Sequence, residues 1–400
     1  MYGIEEAALY YFGKHAIDLG VAESAYLAAM PQAPTTYSPY GDNRQALDNR
    51  KDLILNLMLN QGYITSTEYQ EASDENVQFV FKDSQSGLKA PHFVFHVIEE
   101  LEEKYGKEAL KTDGLRVTTT LDYQLQQKLE AIAKEKALEG KKTYDAENAS
   151  IVAIETETGN IISMVGSRDY FDEAIDGKVN IATSKRQPGS SFKPIVYLSA
   201  FEKGYTPETV VWDVDTEFAL KCQPQTARDV ARKTDGCYRP RNFDNKFKGA
   251  IELKNALPES RNIPAIKALY LVGVEKAISN AKLFGIKSLN KSASFYGLNL
   301  VLGGGEVQLL NLVSTYGTFA NEGIRVEPAA ILEVKDSDGK VIFEHEVENK
   351  RVMDSKYVKN LNEILSNDAL KYPTFGRNSD LYFGGRVASK TGTTNDNRDS

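Results

Sequence analysis

The sequence predicts an α+β chain built from more than one domain, and three observations carry that expectation. Apolar residues fall at helical spacing through the first 75 positions. Two short apolar runs after residue 150 flank a polar turn, and another begins just beyond the Pro188-Gly189 break. With 400 residues, 41% of them hydrophobic, the chain can bury a substantial core and has length for two or three domains. A formal net charge of −8 argues against a nucleic-acid-binding surface. No run of about twenty apolar residues occurs, so no membrane span is expected within it.

Residues 1–75 read as helices. Ile4, Ala7, Ala8 and Tyr11 share one helical face, and a second short helix from Glu23 to Met30 stops at Pro31. Pro31, Pro34 and Pro39 then hold an extended loop. A third helix is expected from about Arg44 to Asn60, with Leu53, Leu57 and Leu59 buried and Gly62 closing it.

Residues 76–148 read as a connector. Asp83–Lys89 is a polar loop, after which Pro91 starts a helix with Phe93, Val97, Leu101 and Tyr105 on one side. His92 and His96 stand four apart, as a metal pair would, but no third ligand stands nearby; helix surface is the simpler reading, and neither metal nor cofactor is expected. Leu115–Leu121 is β-rich, and Asp122 caps a helix carrying Leu125, Leu129 and Ile132.

Residues 149–400 hold the chemistry. Ser150–Glu155 and Ile161–Val165 form a hairpin around the turn at 156–160. Arg186-Gln187-Pro188-Gly189-Ser190-Ser191-Phe192-Lys193-Pro194 then leads into a helix from about Ser191 to Lys203. Pro194 falls in its first turn, where a missing N–H costs little. Ser190 stands at the helix mouth, and Lys193, three residues on, shares its face. A serine hydroxyl needs a base to take its proton, and a desolvated neutral lysine amine serves. Ser190 and Lys193 are therefore a candidate nucleophile and base.

Ser-x-x-Lys alone is a weak signal: it recurs at Ser86, Ser279, Ser288 and Ser337 in polar, turn-like settings. Two further elements follow Ser190 in order. Ser260-Arg261-Asn262 is read as a loop ahead of a helix at Ala265–Tyr270, and Lys390-Thr391-Gly392-Thr393-Thr394 as a strand. The series Ser-x-x-Lys, Ser-x-Asn, Lys-Thr-Gly resembles that of penicillin-binding proteins and serine β-lactamases, with Arg261 where Asp is usual. Tyr2-Gly3-Ile4-Glu5, Tyr11-Phe12-Gly13-Lys14, Met30-Pro31-Gln32-Ala33-Pro34 and Asn49-Arg50-Lys51 resemble the last part of a peptidoglycan glycosyltransferase domain. Gly114-Leu115-Arg116-Val117-Thr118-Thr119-Thr120-Leu121-Asp122 resembles the linker that follows it in class A penicillin-binding proteins.

The resemblance to that bifunctional family covers nearly the whole chain. It implies a helical remnant of a lysozyme-like glycosyltransferase domain at 1–75, a linker at 76–148, and an incomplete transpeptidase domain at 149–400 with a central antiparallel sheet between helices. The glycosyltransferase glutamates lie upstream in the family, so that activity is not expected here. Both ends read as cut, and no signal peptide or anchor is seen, although the family implies a membrane anchor, cell-wall synthesis complexes and a site on the extracytoplasmic face of a bacterial membrane.

By the same resemblance, Ser190 attacks the D-alanyl-D-alanine carbonyl of a peptidoglycan stem peptide, and β-lactams acylate it. Lys193 is the base, while Ser260 and Asn262 relay protons and hold the substrate amide. Lys390 lowers the proton affinity of Lys193 and attracts the substrate carboxylate. Thr391, Gly392 and Thr393 bind that carboxylate or the peptide, and the N–H groups of Ser190 and Thr393 form an oxyanion hole. The extracytoplasmic setting would let Cys222 and Cys237, the only cysteines, pair across the intervening loop, two free thiols being the alternative. The triple glycine Gly303-Gly304-Gly305 reads as a tight helix start. Two rivals remain. A serine β-lactamase needs a water-activating carboxylate, for which Glu363 and Asn367 have the spacing. A scaffold fragment would keep the site residues without holding them in place.

Overall fold

The computed structural model describes residues 3–34, 36–41, 43–80, 88–219, 237–377 and 379–394. The chain divides into two compact units, Met1–Lys89 and Ala90–Ser400.

In the first unit, helices Ile4–Phe12, Val21–Ala29, Arg44–Asn60 and Ser66–Asp74 surround a core that includes Phe12, Tyr26, Leu47, Leu55 and Phe79. The long helix starts and ends where its sequence pattern says, but its buried row is Leu47, Lys51 and Leu55, four residues apart. Leu53 and Leu57, expected inside, are about half exposed. Each sits two residues from Leu55, roughly 200° around the helix. Lys51 takes a core position with its Nζ 5.6 Å from the Tyr26 ring centroid and donating to the Ser73 carbonyl at 3.2 Å.

The second unit is organised on the Lys193–Glu202 helix. Every residue from Lys193 to Phe201 is buried, so this is a core helix and not an amphipathic surface one. The helices Asn262–Val272, Val274–Leu283 and Ser355–Ser366 pack around it, sharing one apolar cluster that includes Tyr197, Phe201, Leu269 and Leu361. Asn262 is the first residue of its helix, not part of a preceding loop.

The sheet structure is antiparallel and divided. The expected hairpin is present as Ile151–Ile154 against Ile161–Val165. Strand Ile331–Lys335 lies between Arg116–Thr119 and Val341–Glu344 in a three-stranded sheet. Val210–Asp213 pairs with Gly249–Glu252, and Lys185–Arg186 with Val307–Gln308. Lys390–Thr393, expected as a strand, joins no ladder among the described residues. Side-chain ties hold its approach instead. The buried Asp368 accepts from the Phe383 and Gly385 N–H groups, and Lys371 bridges Asp368 Oδ1 and Ser389 Oγ at 3.1 and 2.9 Å.

His92 lies buried with Nε2 2.9 Å from the Gly177 carbonyl, an 85-residue link that ties its helix to the loop before Ser190. Cys237 is disulfide-bonded; Cys222, its expected partner, lies outside the described residues.

Candidate active site

Pro188 and Gly189 end the preceding strand, and Gly189–Phe192 forms a 3-10 turn that runs directly into the Lys193–Glu202 helix. Gly189 has φ 55°, a left-handed conformation that only glycine adopts without strain. The position is crowded as well. A Cβ on Gly189 would meet the Thr393 backbone at 2.5–2.8 Å, and a Cβ on Gly303 would meet Gly189 N at 2.3 Å. Three stretches of chain, around residues 189, 303 and 393, therefore close on one another through glycine. The triple glycine is not a helix start: Gly303 ends a 3-10 run, and the next helix begins at Leu309.

The nucleophile turn is fixed from behind. The Tyr316 hydroxyl donates to the Ser191 carbonyl at 2.8 Å, and Ser191 Oγ donates to the Pro188 carbonyl. Loss of hydration pushes the Tyr316 phenol well above its usual range, so it remains a donor at all working pH values. Ser190 itself is half-buried, and its hydroxyl makes no hydrogen bond among the described residues.

Lys193 is fully buried. Its Nζ donates to the Ser260 carbonyl and to Asn262 Oδ1, both at 2.7 Å, and lies 3.4 Å from Ser260 Oγ. Lys390 Nζ reaches the same hydroxyl from the other side at 2.8 Å and also donates to the Thr391 carbonyl. Ser260 thus stands between two amines. Burial, and then the charge of Lys390, hold the Lys193 amine far below the ordinary lysine range. Lost hydration brings Lys390 down to about 7. Two amines sharing one hydroxyl cannot both stay protonated cheaply, and Lys193 is the one that gives up its proton.

Ser260 has φ 56°, a left-handed non-glycine residue at the centre of the cluster, which costs about 1–3 kcal/mol. Its neighbours hold it there. Arg261 is itself buried and forms an ionic group with the exposed Asp244 at 2.8 Å and the buried Glu259 at 3.3 Å. Thr391, Gly392 and Thr393 follow Lys390 past the nucleophile turn, with Thr393 exposed and a Gly392 Cβ only 2.7 Å from the Pro188 carbonyl.

The structure thus brings Lys193, Ser260, Asn262 and Lys390 into one hydrogen-bonded cluster and sets Ser190 and Thr391–Thr393 around it. Tyr316, Asn242 and Gly303 also support the site and carry no local sequence signal of that role. Glu363 is exposed and Asn367 caps the Ala369 N–H, so the lactamase-like pair has only local structural contacts.

Comparison with known proteins follows the same division of the chain. Residues 149–400 match the penicillin binding protein transpeptidase domain, and residues 1–59 match a transglycosylase domain. Penicillin-binding protein 2D of Bacillus subtilis is 34% identical over 359 residues, covering 89% of this chain and 49% of the relative. The chain spans about half the length of the curated relatives it matches. Penicillin-binding protein 1A of Haemophilus influenzae has a similar fold, with TM-score 0.78 and 21% identity over 98% of this chain and 75% of that one. The PonA1 protein of Mycobacterium tuberculosis, solved in complex with penicillin V, matches with TM-score 0.56 and 22% identity over 69% and 71% of the two chains. With a transpeptidase domain that takes in more than half its residues and a transglycosylase segment ahead of it, the chain belongs to the class A penicillin-binding proteins.

Proposed function

We propose that the chain carries a serine-type peptidoglycan transpeptidase site, open to acylation by penicillin, within a bifunctional cell-wall synthase that works at the extracytoplasmic face of the bacterial membrane. The observation that carries this reading is the buried Lys193 amine, held by Ser260 and Asn262 one helical turn from a serine hydroxyl that has no partner among the described residues, with burial pushing the amine's proton affinity well down. A neutral Lys193 amine that donates to these two oxygens keeps its lone pair to take the Ser190 proton; such contacts tighten when substrate arrives.

Ser190 Oγ attacks the carbonyl carbon between two D-alanines of a stem peptide, and its proton passes to Lys193 Nζ. The C–N bond then breaks, and the departing D-alanine amine takes a proton from the Lys193–Ser260 pair, leaving Ser190 as an ester. An amine of a neighbouring stem attacks that ester, loses a proton to the same pair, and returns Ser190 as a hydroxyl. Lys390, Thr391 and Thr393 offer positive charge and hydroxyls to the terminal carboxylate. Penicillin presents a strained amide to the same serine, and the ring opens without releasing a leaving group. Penicillin bound to the similar fold of PonA1 is consistent with this reading.

Covalent labelling with a fluorescent penicillin tests the proposal. The chain should label stably and the Ser190→Ala variant not at all. Label that persists in the variant sinks the assignment of Ser190, and label that is released within minutes favours a lactamase.

A further inference from the structure

We propose that Asn242 is a positioning residue of the site: through its side-chain amide it orients Asn262, and through Asn262 the amine of Lys193. The inference rests on the transpeptidase reading above and adds a residue that lies outside the three sequence motifs.

Asn242 is buried in a chain segment whose neighbours Arg241 and Phe243 are both exposed, so one inward side chain links this loop to the site. Its Oδ1 accepts from the Asn262 N–H at 2.8 Å and from Ile263 N–H at 3.4 Å, capping the Asn262–Val272 helix from a residue twenty positions away. Its Nδ2 donates to Asp213 Oδ1 and to the Lys246 carbonyl, each at 2.8 Å. All four bonds have one sense only. Oxygen must face the helix and nitrogen must face Asp213, so the amide cannot flip without breaking them.

The next contact passes this order to the reacting groups. Asn262 Nδ2 donates to the Arg241 carbonyl at 2.7 Å, which obliges its Oδ1 to face Lys193. Backbone and side chain of Asn262 are therefore both held by the 241–242 segment. Arg261 ties the same loop from the other side, through Asp244 and the Lys246 carbonyl. Without the Asn242 side chain, the first turn of the helix loses its cap and the 241–242 segment loses its anchor to Asp213, so the Arg241 carbonyl no longer holds the Asn262 amide in place. The Lys193 amine then loses one of its two close acceptors, in a cluster where Lys390 is the charged group acting on it.

The test is the kinetics of fluorescent penicillin acylation in the full chain, resolved into non-covalent affinity and acylation rate constant. Asn242→Ala should lower the rate constant roughly ten- to a hundredfold while the labelled fraction and the non-covalent affinity stay near wild type. Asn242→Asp alone should fare no better, because it places a carboxylate against Asp213. The double swap Asn242→Asp/Asp213→Asn reverses donor and acceptor across that contact while still capping the helix; it turns a carboxylate oxygen toward the Lys246 carbonyl, so it should recover part of the rate lost in Asn242→Asp.

Wild-type rates in Asn242→Ala overturn the proposal. So does a smaller labelled fraction that reacts at the wild-type rate, which is the signature of a purely structural residue. If Asn242→Ala does not fold, the double swap decides: a folded double swap that reacts no faster than Asn242→Asp overturns the proposal. A wild-type chain that never labels overturns the transpeptidase reading and this one together, whereas normal labelling by Asn242→Ala overturns this one alone.

Discussion

Ser190 and Ser260 are the same residue type in opposite situations. Ser190 sits in a 3-10 turn in good register with the helix behind it, with its hydroxyl free of partners among the described residues. Ser260 sits in a left-handed conformation that its side chain disfavours, with a lysine amine on either side of its hydroxyl. On the proposed reading Ser190 is the nucleophile, which must be free to approach a substrate, so the fold fixes the backbone around it and leaves the oxygen alone. On the same reading Ser260 is a proton relay, which must stay between the two amines, so its oxygen is held and the surrounding network supports a strained backbone to hold it there.

The largest effect should come from removing Lys193, the proposed base. Lys193→Met preserves the volume of the buried stem and should lower the acylation rate by roughly 10³-fold, within the range of a lost general base. The variant should still bind penicillin non-covalently. An acylation rate within tenfold of wild type would transfer the role of base to another group.

The comparison sharpens at Ser260, where chemistry and strain can be separated. Ser260→Ala and Ser260→Gly both lose the relay hydroxyl, and both should acylate roughly ten- to a hundredfold more slowly. Their stabilities should differ. Glycine adopts φ 56° freely and alanine does not, so the glycine variant should be the more stable of the two by about 1 kcal/mol in urea unfolding. Equal stabilities would mean that the backbone at Ser260 is not strained. Greater stability for alanine would exclude the left-handed conformation.

The two serines were not equally legible in the sequence. Pro188, Gly189 and the apolar run at 195–201 mark the start of the nucleophile helix, because local steric rules set helix starts. The order of the three motifs and the helical first unit could be read in the same way. The sequence near Ser260 does not announce a left-handed residue, which is held by the Arg261 N–H on the Ala256 carbonyl and by ties that reach to Asp244 through Arg261 and to Asp213 through Asn242. Tyr316 reads as one more apolar position on its helix until its hydroxyl is found on Ser191, 125 residues away. Lys390–Thr393 reads as a strand in the sequence, but ladders depend on a neighbour, and side-chain ties to Asp368 and Lys371 hold its approach instead.

The smallest effect, and the one most specific to the two-amine arrangement, concerns pH. Lys390 titrates at about 7, so its charge acts on Lys193 below that pH and fades above it. Lys390→Gln keeps a donor for Ser260 Oγ and removes the charge. Lys193 then loses one of the two influences that hold its proton affinity down and regains its proton at a higher pH. The acid limb of the acylation profile should therefore move upward in the variant, with rates converging on wild type above about pH 7 as Lys390 loses its charge in the native chain too. Stability should change in step. A lysine titrating at about 7 when folded and near its ordinary value when unfolded makes the unfolded chain hold more protons between those limits, so stability rises with pH across that window. Lys390→Gln should flatten this rise. Acid limbs that coincide in the two proteins would show that burial alone keeps Lys193 deprotonated, and Ser260 would then be held between two amines for geometry and not for charge.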